Sequence, residues 1–135
     1  MSLLFWVKVY LLTVPVFFAI DMLWLGFLAR SFYQDRLGHL LSPEVNWPAA
    51  ISFYLIYIGG ILFFAVAPAM SRDSLARATF LGALFGFFTY CTYDLTNLAT
   101  LKDWPKAVVA VDILWGVVLC AAVASASFLI ARRLL

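Results

Sequence analysis

Three aspartates are the residues in this 135-residue chain whose type and setting call for chemistry. Asp21 stands in "AIDMLWLG", Asp94 in "TYDLTNLATL" and Asp112 in "VDILWG", each within a long apolar run. The other four carboxylates, Asp35, Glu44, Asp73 and Asp103, fall between such runs. An ionised aspartate at the centre of a membrane helix costs on the order of 3 kcal/mol even on the lenient insertion scale, and less nearer the interface. No lysine or arginine stands at the same depth to offset that cost. The three acids must therefore hold protons, a cation, or a network of hydroxyl and amide donors.

The runs that carry them define the class of protein. The chain is 66% hydrophobic and 18% aromatic, with only 12% charged residues, against about 25% charged in an ordinary soluble domain. So small a chain has too little interior to bury that much apolar surface from water. Four segments reach spanning length, at residues 3–29, 48–69, 75–98 and 106–131, each longer than the roughly 20 residues needed to cross the hydrocarbon core. They are continuous and lack the two-residue alternation of barrel strands. The expected fold is all-α and integral to the membrane: one compact domain over residues 1–135, a bundle of four transmembrane helices. Short turns, "MSRDS" and "ATLKDW", join the later spans, and a longer loop, "RSFYQDRLGHLLSPEVNW", joins the first two. Within that loop, Phe32, Leu37, Leu40 and Leu41 are spaced for a short interfacial helix over residues 32–41. His39 and Glu44 in the same loop are expected to be solvated.

Counting along the helices brings the acids together. At 1.5 Å per residue, Asp21 lies about 12 Å before the end of its span, Asp94 about 6 Å before the end of its own, and Asp112 about 9 Å after its span begins. In an up-and-down bundle those three ends face one side, that of the first and third loops. The second span adds Tyr54 about 9 Å deep on the same count, with Tyr57 near it. Residues three or four apart share a helix face, which sets Trp24 beside Asp21, Trp115 beside Asp112, and Tyr90, Cys91 and Asn97 beside Asp94. The candidate ligand or proton site is therefore Asp21, Asp94, Asp112, Asn97 and Tyr54, lined by Trp24, Tyr57, Tyr90, Tyr93 and Trp115. If a metal binds, Asp21, Asp94 and Asp112 are its expected ligands; no cofactor is indicated.

Other features read as structure. Gly82 and Gly86 form a GxxxG pattern, and "AAVASASF" supplies small residues in the last span, both suited to close helix contact. Pro15 is expected to kink the first span. Cys91 and Cys120 lack metal or redox spacing and read as small core residues. The starts "NWPAA" and "DWPKA" share a polar cap, an interfacial tryptophan and a proline at the first helical position, a hint of a duplicated hairpin. Net charge is +2 with no basic cluster, so nucleic-acid binding is excluded as a function class. The Arg132–Arg133 pair tips the positive-inside balance toward cytoplasmic termini.

Taken together, "AIDMLWLG", "NWPAA", "GALFGFFTYCTYDLTNLATLKDWP" and "VDILWG" resemble the bacterial membrane family catalogued as domain of unknown function 2177. The resemblance covers nearly the whole chain, with "TYDLTNLATL" its most specific element. It implies a compact four-span protein of the inner membrane and no particular activity. Function then rests on the acids. The leading expectation is binding, or proton-coupled transport, of a cation or small molecule, with Asp94 and Asp112 exchanging the proton and Asp21 tuning them. The alternatives are an integral-membrane enzyme acting on a lipid or isoprenoid, with the carboxylates as acid and base or as metal ligands, and an accessory subunit of a membrane complex. Membrane lipid is the expected partner, with a homo-oligomer or larger complex open.

Overall fold

The computed structural model covers residues 1–135 and is helical throughout, with four helices long and apolar enough to cross a membrane. We number the helices α1 (Leu3–Leu28), α2 (Arg30–Leu37), α3 (Trp47–Ser71), α4 (Leu75–Thr100) and α5 (Lys106–Leu134). The expected four-span bundle is present, its boundaries within a few residues of those read from hydropathy. The short helix α2 occupies the first loop, beginning and ending somewhat earlier than the spacing of Phe32 to Leu41 indicated.

Helix starts follow local rules. The side chains of Ser2, Asn46 and Ser74 accept hydrogen bonds from the amides of Phe5, Ala49 and Arg77 at 3.1–3.2 Å, satisfying donors that the first turn leaves free. The two tryptophan-proline starts diverge, however. Trp47 is exposed, whereas Trp104 is buried, because Asp103 takes a left-handed backbone conformation (φ 60°) and the chain turns the tryptophan inward before α5 begins at Lys106. Asp103 is therefore not a helix cap, and Trp104 is an interior residue. The first span runs as α-helix through Pro15. It departs from α geometry only at Trp24–Leu28, which form a π turn; a second π turn, Leu62–Val66, lies in α3.

The most extensive contact is between α4 and α5. There Gly82 and Gly86 face Gly116, Cys120 and Ala124 so closely that an added Cβ on Gly86 would overlap the Gly116 carbonyl. The GxxxG reading holds: missing side chains let two backbones touch. Around this seam the half of the bundle nearer the termini is closed by a core that includes Val9, Ile58, Ile61, Val66, Leu119, Val123 and Phe128. The Thr13 and Ser127 hydroxyls, both fully buried, bond to each other at 2.8 Å and tie α1 to α5. At the same end Arg132 pairs with Asp73 at 3.0 Å across the turn between α3 and α4. The half nearer the long loop is built differently.

Candidate functional site

A cavity of about 500 Å³ occupies the loop-side half, with contributions from all five helices. That volume lies in the range of small-molecule sites. Its walls are mostly apolar and aromatic, including Phe53, Tyr57, Tyr90, Trp104 and Trp115, and two carboxylates, Asp21 and Asp112, give it a polar end. No lysine or arginine lines it.

The acids and tryptophans are cross-wired between helices. Trp115, three residues from Asp112 on α5, donates its indole N–H to Asp21 Oδ1 on α1 at 3.2 Å. Trp24, on the face of Asp21, donates to the Tyr33 hydroxyl at 3.1 Å, and Tyr33 donates to Asp112 Oδ1 at 2.7 Å. The two indoles stack between these bonds, 4.5 Å apart and 9° from parallel. Each acid thus takes its donor, directly or through Tyr33, from the other acid's helix.

Tyr33 was not among the residues that spacing selected. It belongs to α2, and the only trace of it in the sequence is the apolar pattern that placed a short helix in the loop. The residue is half-buried, and burial pushes its pKa up, so it remains the donor to Asp112 across the physiological range. Leu37, one turn on, packs against Trp104 and Val108 and closes the cavity on the loop side.

The remaining candidates distribute as follows. Tyr54 lies beside Asp21, and both line the cavity. Tyr57 is deeper, its hydroxyl bonded to Thr89 at 2.7 Å and to the Cys120 thiol at 3.1 Å. The ring of Tyr90 rests on Gly116, where any Cβ would collide with it. Tyr93 lines the cavity and meets Trp104 edge-on at 5.8 Å. Asp94 and Asn97 stand outside the cavity wall: Asn97 is half-buried near Tyr93, and Asp94 is fully buried behind Asp112. Neither Asp94 oxygen has a donor beside it, the polar group against it being the Asp112 carboxyl, and the Trp104 indole N–H is likewise buried and free. His39 and Glu44 are exposed. No three of the carboxylates, histidine or cysteines are gathered as a metal site, since Asp21 is directed to Trp115 and Asp112 to Tyr33.

The family of predicted membrane proteins DUF2177 matches residues 6–129, a stretch that includes every residue of the cavity. The chain belongs to this family. No curated protein and no solved structure matches it. For this DUF2177 protein the identification establishes a multi-pass membrane protein.

Proposed function

We propose that this protein binds a small organic cation, or a molecule with a strongly hydrogen-bond-donating end, at an intramembrane carboxylate and aromatic site, and that binding exchanges with a proton. The observation that carries this reading is the placement of Asp21 and Asp112, without any basic residue, at the polar end of an aromatic-walled cavity. Carboxylates attract an ammonium group by charge, and ring faces add cation–π attraction that strengthens when water is excluded. Trp115 and Tyr33 each occupy one oxygen of their aspartate. Tyr54 also lies against Asp21 and Asp94 against Asp112, so a ligand would take over contacts that these neighbours now make.

Asp94 supplies the other half of the exchange. Asp94 is fully buried with no donor beside it, and the acid it lies against is Asp112. In this reading a proton is shared by Asp94 and Asp112, is displaced when a cation arrives, and returns when it leaves. Asp21, with Tyr54 beside it, sets the strength of the cation site. The test is calorimetric titration of the detergent-purified protein with benzyltrimethylammonium in buffers of different ionisation enthalpy. Saturable binding with proton release, lost in Asp112→Asn and weakened in Asp21→Asn, is the expected result. Heat that is independent of both aspartates contradicts it.

A second reading, an enzyme acting on a lipid or isoprenoid, is favoured by one feature. The cavity reaches no deeper than Tyr57, Thr89 and Trp115, below which the core is closed. A blind pocket suits turnover of a bound molecule with Asp21 and Asp112 as acid and base; passage across the membrane requires that core to open. Uptake into proteoliposomes against product formation from bilayer lipid separates the two.

A further inference from the structure

We infer that the cavity opens sideways into the bilayer, between the loop-side half of α3 and α4, and that its ligand is a membrane-dissolved amphiphile with an amine head and a hydrocarbon tail. This deepens the binding reading above and rests on it.

The cavity is closed on two sides and open on a third. Toward the termini the bundle is closed by the core beneath Tyr57. Toward the aqueous loops it is closed by α2, with Tyr33 bonded to both Asp112 and Trp24, and with buried Leu37 packed on Trp104 and Val108. Between α3 and α4 the situation differs. The segment Trp47–Ile61 makes its main contacts with α1 and α5, and it is the π turn Leu62–Val66 that carries the packing of α3 on α4. The last tie between the two helices on the loop side is the Tyr57–Thr89 bond. Beyond it they part, and the rim consists of Phe53 and Tyr93. Both line the cavity, and yet they are 53% and 56% exposed.

Depth decides what that rim meets. Phe53 is about 9 Å from the start of α3 and Tyr93 about 10 Å from the end of α4. Helices of roughly 38 Å exceed the hydrocarbon core of about 30 Å by only a few ångströms at each end. The rim therefore lies among acyl chains and not among head groups. A ligand that crosses it must be soluble in hydrocarbon over most of its length, and the polar end of the cavity requires a donor or cation at the tip. A long-chain amine meets both demands.

The experiment uses the full chain in lipid nanodiscs and a long-chain amine labelled with a nitroxide next to its head group. Tryptophan quenching reversed by benzyltrimethylammonium reports arrival at the cavity, since Trp104 and Trp115 line it. Widening the rim with Phe53→Ala and Tyr93→Ala should raise the rate of that quenching several-fold, and the rate should follow the amine's concentration in the lipid. Leu37→Ala, which loosens the loop-side plug, should give no such acceleration. Acceleration by Leu37→Ala with none from the rim pair overturns the lateral route and assigns entry to the aqueous side. If benzyltrimethylammonium binds by calorimetry while the amine never quenches, the amphiphile assignment fails and the cation site survives. If neither binds, the site reading itself has failed.

Discussion

The two halves of this bundle solve the same problem, burying polar groups in a membrane, in opposite ways. In the terminus-side half the polar groups are small and matched: Thr13 meets Ser127, and glycine brings α4 and α5 into backbone contact, while the Tyr57 bonds to Thr89 and Cys120 mark the floor where the cavity ends. In the loop-side half the groups are acids, their donors are large aromatic side chains borrowed from other helices, and two buried groups, the Asp94 carboxyl and the Trp104 indole N–H, have no partner. Where small residues dominate, van der Waals contact closes the interior. Where rings dominate, an interior of about 500 Å³ stays open. On the proposed function, stability resides in the first half and binding in the second.

Substitutions can sharpen or break that division. The largest expected effect on stability is at the seam: Gly86→Ala places a methyl group against the Gly116 carbonyl, and overpacking of this kind costs about 1–3 kcal/mol, more when backbone is the obstacle. Thermal unfolding in detergent reads this directly. Gly59→Ala, with open space around the added carbon, should leave the melting temperature near that of the parent, and equal loss in both would break the contrast. Next is Tyr33→Phe, which removes the hydrogen bond to Asp112 and the acceptor of Trp24, at about 1–2 kcal/mol for this half-buried site. It should also release α2, detected as faster proteolysis of the first loop. Thr13→Val, which leaves the Ser127 hydroxyl alone, should cost about 1 kcal/mol.

The smallest effect is expected from pH. The folded protein holds the Tyr33 proton more tightly than the unfolded chain does. Stability from this group is therefore complete below the ordinary tyrosine pKa of about 10 and is lost as pH rises beyond it. Alkaline melting curves should show a shallower loss for Tyr33→Phe than for the parent; identical slopes would mean that Tyr33 is not buried in the folded state.

Asp21 and Asp112 were legible in the sequence because charge within an apolar run is conspicuous and the helical rise converts position into depth. The GxxxG seam was legible for a related reason: glycine at one-turn spacing has few uses other than close approach. The cross-wiring was not legible. Spacing of three places Trp24 with Asp21 and Trp115 with Asp112, but it cannot say that the Trp115 indole reaches Asp21 on α1 and the Trp24 indole Tyr33 on α2, which depends on the neighbour each rotamer finds. Tyr33 escaped because a loop residue enters the site only where α2 folds back over the bundle. Trp104 was taken for an interfacial residue because "DWP" imitates "NWP", whereas the positive φ at Asp103 turns it inward. Asn97 and Asp94 share the depth of the site without facing the cavity, a distinction of helix rotation that depth alone does not resolve.

The most direct test of the division is the thermal unfolding midpoint of the parent, Asp112→Asn and Gly86→Ala, each with and without benzyltrimethylammonium. The account predicts that Asp112→Asn melts near the parent and gains nothing from the ligand, whereas Gly86→Ala melts lower and is still raised by it. An Asp112→Asn protein that is stabilised by the ligand as much as the parent would contradict the account.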